Sequence, residues 1–472
     1  MSLRFLNTLS RSLEDFTPLD PEGRTVRLYT CGPTVYNFAH IGNFRAYIFE
    51  DLLQRHLEAR GFHVHRVMNL TDVDDKTIRG CRDAGIPLSA FTARFKQAFF
   101  EDLDALRIKR ADHFPEATNP DHIARMVAMI AQLEAQGQAY LAEDGSVYFR
   151  ISRFKNYGRL AHLNLDELRP SGRIKSDEFE KESLGDFALW KAWDEQDGDV
   201  AWDSPWGRGR PGWHIECSAM AGAILGDQLD IHCGGVDNIF PHHEAEIAQT
   251  ECCTGKPFVR YWLHCAHLMV DGQKMSKSLG NFYTLRDLLG KGYSGREIRF
   301  ALLTVNYRLP LNFTLSGLDA ARSALSRIDA LVERLERESS TATTQTSAAR
   351  PTAASNLVDA FFNCLDDDLN ISGAMGCLFD WLRETNRLLD TEQNPLHARE
   401  ALAEWKRLNS VLRLEAEKAA IPSEVLALVE ERNAARASKN WSESDRLRDA
   451  IIQLGWTVKD SKDGTLVSKT SA

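Results

Sequence analysis

The chain has no apolar run near the roughly 20 residues that a membrane-spanning helix needs, so no membrane partner is expected. Its first sixteen residues, MSLRFLNTLSRSLEDF, hold no sustained apolar segment and turn acidic at Glu14 and Asp15, which argues against a secretory signal peptide. A basic surplus is missing too: 57 Lys and Arg stand against 67 Asp and Glu, a net charge of −10. Without a global electrostatic footprint for nucleic acid, any contact with RNA has to use local patches. Cysteine is sparse: nine residues, odd in number and irregularly spaced at 31, 81, 217, 233, 252, 253, 265, 364 and 377. That spacing argues against a disulfide framework and for reduced thiols, some of them available as ligands. No internal repeat is visible. What remains is an ordinary globular composition, 43% hydrophobic and 26% charged. The length suggests about three domains in a soluble, cytoplasmic protein.

Residues 24–31 alternate apolar and polar as a strand does. A Gly-Pro loop follows, and then Phe44, Ile48, Phe49, Leu52, Leu53 and Leu57 recur at three- and four-residue steps toward Gly61, which predicts a helix. HVHRVMNL (63–70) reads as a second strand, which makes a βαβ unit and implies a parallel sheet. The stretch from about 115 to 205 differs, with a helix through Ile123, Met126, Val127, Ile130 and Leu133 and a hairpin signal at Asp144-Gly145. Pattern of the first kind resumes at LDIHCGG (229–235), so the middle reads as an insertion splitting one nucleotide-binding fold. From about 292 the chain turns helical: Leu318, Ala321, Leu325, Ile328, Leu331 and Leu335 keep bundle spacing. The biased segment 339–355 reads as a linker, and Pro422 opens two further helices and a terminal hairpin about Asp463-Gly464.

FAHIGNFRAY places His40, Gly42 and Asn43 at a strand-to-helix turn, where backbone N–H groups and the positive helix end suit a triphosphate. Taken alone it equally reads as a capped helix with a packed histidine. VDGQKMSKSLGN (270–281) adds Lys274, Ser276, Lys277 and Ser278 in a Gly-bounded loop, suited to neutralising a departing pyrophosphate or, alone, simply an exposed basic turn. In FPHHEAEIAQTECCTG (240–255), a proline opens a helix that Gly255 closes, and His242 and Glu246 are four apart on one face. Cys217 lies upstream in GWHIECSAM, and Cys31 sits before the HIGN turn. Thiolate, imidazole and carboxylate are what Zn²⁺ accepts, but the spacings of 186, 25 and 4 match no short zinc-finger pattern. An exposed i,i+4 pair with a core thiol is the alternative.

HIGN followed more than 200 residues later by KMSKS resembles the signatures of class I aminoacyl-tRNA synthetases. Asn43 replaces the usual second histidine but still offers a side-chain donor. CGPTVYNFAHIGN, NLTDVDDK, DFALWK, PGWHIECSAM, DIHCGGVDNIFPHHEAEIAQ and GQKMSKSLGN together resemble cysteinyl-tRNA synthetases. The resemblance implies activation of L-cysteine with ATP to cysteinyl-adenylate and transfer to tRNA(Cys). It implies one Zn²⁺ per chain on Cys31, Cys217, His242 and Glu246, recognising the substrate thiolate, with His243 as an alternative ligand. Mg²⁺ would arrive with ATP. His40, Asn43, Lys274 and Lys277 would be catalytic, and Gly42 and Ser276 would join them around ATP. Thr71 and Trp213 would line the amino-acid pocket, with His232 and Asp237 as contacts to the substrate amine or the adenylate, while Asp72, Asp74 and Asp75 suggest Mg²⁺ or, more simply, read as a solvated loop.

The expected fold class is α/β: a split parallel-sheet Rossmann-type catalytic domain with an inserted subdomain, then an α-helical bundle and a small C-terminal mixed domain. Expected boundaries are 1–114 and 206–262 for the catalytic halves, 115–205 for the insertion and 263–315 for the KMSKS region. The bundle, expected to meet the anticodon stem, takes 316–415 and the anticodon-binding domain 416–472. In that last domain Arg436, Trp441, Asp445 and Asp460 are the matched tRNA positions, Trp441 as a stacking aromatic. Two rivals stand beside this reading. The mycothiol-pathway ligase shares both signatures but lacks the C-terminal extension, and a non-catalytic zinc-stabilised RNA binder would have lost the signature residues present here. Oligomeric state is not derivable from the residues, with a monomer as the default.

Overall fold

The computed structural model describes residues 2–163, 169–174, 183–276, 279–340, 353–392, 395–417, 422–461 and 464–469. They form two compact units, residues 1–414 and 415–472.

In the larger unit a hairpin, β1 (Arg4–Asn7) and β2 (Ser12–Asp15), precedes β3 (Thr25–Thr30). Helix α1 (Ile41–Ala59) opens at His40, whose Nδ1 accepts from the Asn43 N–H while Asn43 Oδ1 accepts from the His40 N–H. This reciprocal box satisfies two orphan donors at the helix start. The expected stripe, Phe44 to Leu57, is buried on the sheet. β4 (His63–Met68) then pairs in parallel with β3 from Thr25↔His63 to Thr30↔Met68.

Helices α2 (Asp75–Ala84), α3 (Leu88–Ala105) and α4 (Pro120–Ala135) lead into a second, mixed sheet. Its strands are β5 (Ala139–Leu141), β6 (Val147–Phe149), β7 (Arg169–Ile174), β8 (Ser183–Ala192) and β9 (Gly209–Pro211). β9 pairs with β8 through Trp190↔Pro211, so this sheet runs past residue 205 and takes a strand from the segment beyond it. Its core packs Met126, Ile130, Val147, Phe149, Trp190 and Met220 together.

Helix α5 (Trp213–Leu225) returns the chain to the first sheet as β10 (Leu229–Gly235). Phe240 is extended, and helical backbone begins after it, passing through a π-type turn into α6 (Glu244–Thr254), which ends at left-handed Gly255. β11 (Val259–Cys265) completes a four-stranded parallel sheet in the order β11-β10-β3-β4. The neighbours β3 and β10 send their following helices to opposite sides, so their carboxyl ends border the crevice where open α/β sheets take ligands.

A three-stranded sheet, β12 (Leu268–Val270), β13 (Gln273–Lys274) and β14 (Leu311–Phe313), encloses α7 (Leu285–Gly290) and α8 (Gly295–Leu303) in the chain. Four longer helices follow: α9 (Leu315–Ser340), α10 (Ala353–Asp366), α11 (Ile371–Glu392) and α12 (Pro395–Leu412). All six expected stripe residues of α9 are buried, and one core runs from the parallel sheet into this bundle. Most of the 339–355 segment lies outside the described residues. The smaller unit holds α13 (Ser423–Ala437), α14 (Trp441–Gln453) and the hairpin β15 (Trp456–Ser461) and β16 (Gly464–Lys469). Among the described residues no helix is long and apolar enough to cross a membrane, and all nine cysteines are free.

One expectation fails. Asp72, Asp74 and Asp75 are not a solvated loop. Asp72 accepts from Lys96 Nζ and from Thr118, Asp74 caps α2, and Asp75 pairs with Lys191 and Arg210. The partners of Asp72 and Asp75 come from distant segments, those of Asp74 from the first turn of α2, and burial without such partners would be costly.

The parallel sheet is tied to the bundle by a charged pair with no exposed side-chain surface, Asp51 of α1 and Arg299 of α8. Arg299 also donates to the Leu412 and Leu106 carbonyls, and Asp51 accepts from Arg55 and from the Lys109 N–H. Asp51→Asn strands a buried guanidinium, and removing one partner of such a pair costs about 3–5 kcal/mol. The expected outcome is a lower urea midpoint for the 1–414 unit, read by circular dichroism on the full chain.

Candidate active site and metal centre

The crevice has two chemically different ends. At one end the two signature loops meet. Ile41 N–H donates to the Tyr283 carbonyl at 3.0 Å, and the His40 ring meets Phe282 edge-on at 5.3 Å. A Cβ on Gly42 would lie 2.9 Å from the His40 ring and 3.3 Å from Met275 Cε, so only glycine lets the second loop close over the helix start. Lys274 is exposed on β13. Ser276 shapes its own loop: its N–H donates to Asn281 Oδ1 and its hydroxyl accepts from the Leu279 N–H. Lys277 and Ser278 lie outside the described residues.

At the other end Cys31 follows β3, Cys217 lies in α5, and His242 and Glu246 lie one turn apart where α6 begins. One ligand atom from each lies within 4.8 Å of every other. Cys31, His232, His243 and Glu246 satisfy the same criterion, so two overlapping quartets share Cys31 and Glu246. The structure therefore brings together all four expected ligands, with His243 also in reach, 3.3 Å from Cys31 Sγ.

Glu246 is fully buried. Its Oε2 lies 3.1 Å from His232 Nε2 and its Oε1 3.1 Å from His242 Nε2, yet Oε1 makes no hydrogen bond of acceptable geometry. A buried carboxyl oxygen without a hydrogen bond is what a cation would satisfy. Burial lowers the pKa of His214, His242 and His264 to about 3 and that of His243 well below its ordinary value. The imidazoles are therefore neutral, the form that binds metal. Contact with the Cys217 thiol, then burial, raises the Cys31 pKa well above the ordinary thiol value, so a metal has to displace a proton there. Soft sulfur, neutral imidazole and one carboxylate around a closed centre fit Zn²⁺.

Behind the quartet, His242 Nδ1 lies 2.9 Å from His214 Nδ1, and His243 Nδ1 lies 2.8 Å from His264 Nε2. Such partners fix the tautomer and ring plane of a ligating histidine. Trp213 stacks on His242 with centroids 4.2 Å apart, Thr71 is buried with its hydroxyl on Glu216, and His232 buttresses Glu246. Trp213 and His232 thus adjoin the expected ligands, and Thr71 bonds to the residue before Cys217. Asp237 lies apart, exposed in the turn after β10. The reading of the residues missed His214, His264, Asn69 and Glu216: His214 and Glu216 share α5, but Asn69 follows β4 and His264 lies in β11, so no local spacing joins the four.

In the smaller unit, buried Arg432 makes two hydrogen bonds to Asp460, and Arg436 lies 3.2 Å from the same carboxylate. Asp460 is thus committed within the unit. Trp441 and Asp445 are exposed, and the Arg436 guanidinium lies 5.6 Å from the Trp441 ring centroid.

The parallel sheet with its switch-point crevice and paired signature loops defines a nucleotide-binding fold of the class I tRNA synthetases. The family model for tRNA synthetases class I (C) catalytic domain matches residues 17–323. In solved structures the fold recurs in Mycobacterium tuberculosis methionyl-tRNA synthetase with methionyl-adenylate, at TM-score 0.61 and 16% identity over 83% of this chain and 88% of that one. It recurs again in a ternary complex of Agrobacterium radiobacter K84 agnB2 LeuRS with tRNA and LeuAMS, at TM-score 0.63 and 12% identity over 85% of each chain.

More specific models cover the rest: a DALR domain at 360–416 and a cysteinyl-tRNA ligase anticodon binding domain at 418–467. The cysteine--tRNA ligase of Chlamydia muridarum is 52% identical over 99% of this chain and all of its own length. That of Protochlamydia amoebophila is 47% identical over 99% and 98%. The chain belongs to the cysteine--tRNA ligase family.

The Asp460–Arg432 contact depresses the Asp460 pKa from its ordinary value, principally through the Arg432 hydrogen bonds. The resulting stabilisation is therefore present above the ordinary carboxylate pKa and is lost as pH falls through and below it. At neutral pH, Asp460→Asn should cost about 1.5–3 kcal/mol, the usual range for a hydrogen bond to a charged group. Protection factors for residues 423–461 in the full chain should fall about 10- to 100-fold, and the gap to wild type should narrow below pH ~4.

Proposed function

We propose that the chain joins L-cysteine to tRNA(Cys) through cysteinyl-adenylate, recognising the substrate by its sulfur. The observation that carries this reading is the Cys31–Cys217–His242–Glu246 cluster at the closed end of a crevice whose other end holds the two signature loops. The cysteine carboxylate oxygen attacks the α-phosphorus of ATP and pyrophosphate leaves. A ribose hydroxyl at the tRNA 3′ end then attacks the carbonyl carbon and releases AMP. The first step needs no dedicated protein base, because positioning and charge neutralisation dominate phosphoryl chemistry; in the second, the hydroxyl proton passes to the departing phosphate oxygen of AMP.

His40 and Asn43 sit at the helix start, where their side chains and the first-turn amides can receive phosphate oxygens. Lys274 and Lys277 follow the charge onto the leaving pyrophosphate from a loop that approaches Gly42 through Met275. Zn²⁺ held by Cys31, Cys217, His242 and Glu246, when bound, supplies a soft Lewis acid that prefers a thiolate to a neutral hydroxyl. Trp213 and His214 hold the His242 ring, and His232 holds Glu246. Thr71 and, from the outer turn, Asp237 complete the pocket walls. Mg²⁺ enters with ATP. The bundle and the smaller unit are assigned to the anticodon stem and anticodon, with Arg436, Trp441 and Asp445 as the exposed contacts. A rival amino-sugar ligase is disfavoured by the anticodon-domain match at 418–467.

Two measurements test this. Stripping the metal should raise the KM for cysteine in ATP–pyrophosphate exchange at least tenfold while leaving that for ATP within about threefold; equal loss of both refutes recognition through the metal. Lys277→Ala should lower the exchange rate about 10²-fold, as loss of one charge-stabilising donor does, with cysteine affinity little changed. An unchanged rate removes Lys277 from the mechanism.

A further inference from the structure

The two thiols of the metal centre belong to different halves of the split fold, with 186 residues between them. The β3–β10 pairing and α5 bring them together, and a metal site needs its ligands held to within about 0.5 Å. A continuous run of buried hydrogen bonds crosses that gap. The Gly32 N–H, next to Cys31, donates to Asn69 Oδ1 at 2.9 Å. Asn69 Nδ2 donates to Thr71 Oγ1 at 3.2 Å, and the Thr71 hydroxyl donates to Glu216 Oε2 at 3.1 Å. Glu216 is the residue before Cys217 on α5. Asn69, Thr71 and Glu216 are each no more than 2% exposed.

Backbone contacts stiffen the run. Thr71 N–H donates to the Pro33 carbonyl and Val35 N–H to the Thr71 carbonyl, so residues 69–71 lie against the loop that leaves Cys31. A Cβ on Gly32 would fall 1.7 Å from the Asn69 carbonyl oxygen, so the chain beside Cys31 rests directly on Asn69. Each member has the chemistry its place requires. An amide both accepts and donates, a hydroxyl accepts from one side and donates to the other, and a carboxylate ends the run as an acceptor. Threonine adds a stiff χ1, which holds the hydroxyl in line.

We propose that Asn69, Thr71 and Glu216 form a positioning strut that sets the distance between Cys31 and Cys217 and thereby the affinity of the centre for zinc. This rests on the metal assignment under Proposed function and adds residues that touch neither metal nor phosphate. The strut acts before cysteine binds, so it is tested on the cysteine-free full chain. Zinc affinity is measured by competition with a chromophoric chelator, and the ligand field by the thiolate-to-metal absorption of the Co²⁺-substituted protein.

Thr71→Val keeps the shape and removes both hydroxyl links; zinc should bind about 10- to 100-fold more weakly, the usual effect of losing an outer-shell partner. Its Co²⁺–thiolate band should weaken or shift. Thr71→Ser keeps the links and should stay within about threefold of wild type. Should Thr71→Val fail to fold, Asn69→Ala opens the strut at the next link and carries the same expectation. Wild-type zinc affinity and an unaltered Co²⁺ spectrum in the opened variant, or equal weakening in Thr71→Ser, overturns the strut alone. A wild-type chain that binds no zinc overturns the metal assignment as well.

Discussion

Everything in the candidate site depends on one pairing, the parallel contact of β3 with β10 from Leu28↔Ile231 to Thr30↔Cys233. It joins two halves of a sheet across an insertion with its own sheet and core. Because β3 and β10 sit side by side but send their helices to opposite sides, their carboxyl ends border the crevice at the switch point. Cys31 follows one of these ends and Gly234–Gly235 form the other. If the register slipped by one residue, the inward and outward faces would exchange and the site would be lost. The site is therefore specified by the hydrophobic faces of those strands as much as by its polar residues.

Much of this was legible in the residues because local periodicity and local burial agree. The stripe of α9 and that of α1 point inward as their spacing says, since each helix has only one apolar face to hide. The ligand set was legible through the i,i+4 pair His242 and Glu246 and through resemblance, while the joining of Cys31 to Cys217 has no local signal at all. The acidic run Asp72 to Asp75 shows the converse failure. A string of carboxylates reads as solvated because carboxylates are rarely buried unless paired. Here the pairing cations come from Lys96, Lys191 and Arg210, up to 135 residues away, and no window of sequence contains them.

His214 and His264 were missed for a related reason. His214, His232, His242, His243 and His264 belong to α5, β10, the turn before α6, α6's approach and β11, and only the fold assembles them. Each alone is most economically a packed core residue. Burial keeps His214, His242, His243 and His264 neutral, and neutral imidazoles beside the buried Glu246 side chain suit a cation.

Under the proposed function the two ends of the crevice place opposite demands on one scaffold. Discrimination between sulfur and oxygen needs a dry, rigid floor, because a one-atom difference is poorly resolved by shape and ligand softness acts only when geometry is held. Glu246 and Cys217, both without exposed surface, meet that demand. Stabilising a departing pyrophosphate needs long cationic side chains that can follow the charge, and Lys274 on its exposed strand meets that one. A uniformly rigid pocket would hold the leaving group too firmly, and a uniformly mobile one would blur the metal's choice of ligand. The close packing of Gly42 against both His40 and Met275 marks where the two regimes meet. There Met275 comes near the helix start without a side chain at position 42 to separate them.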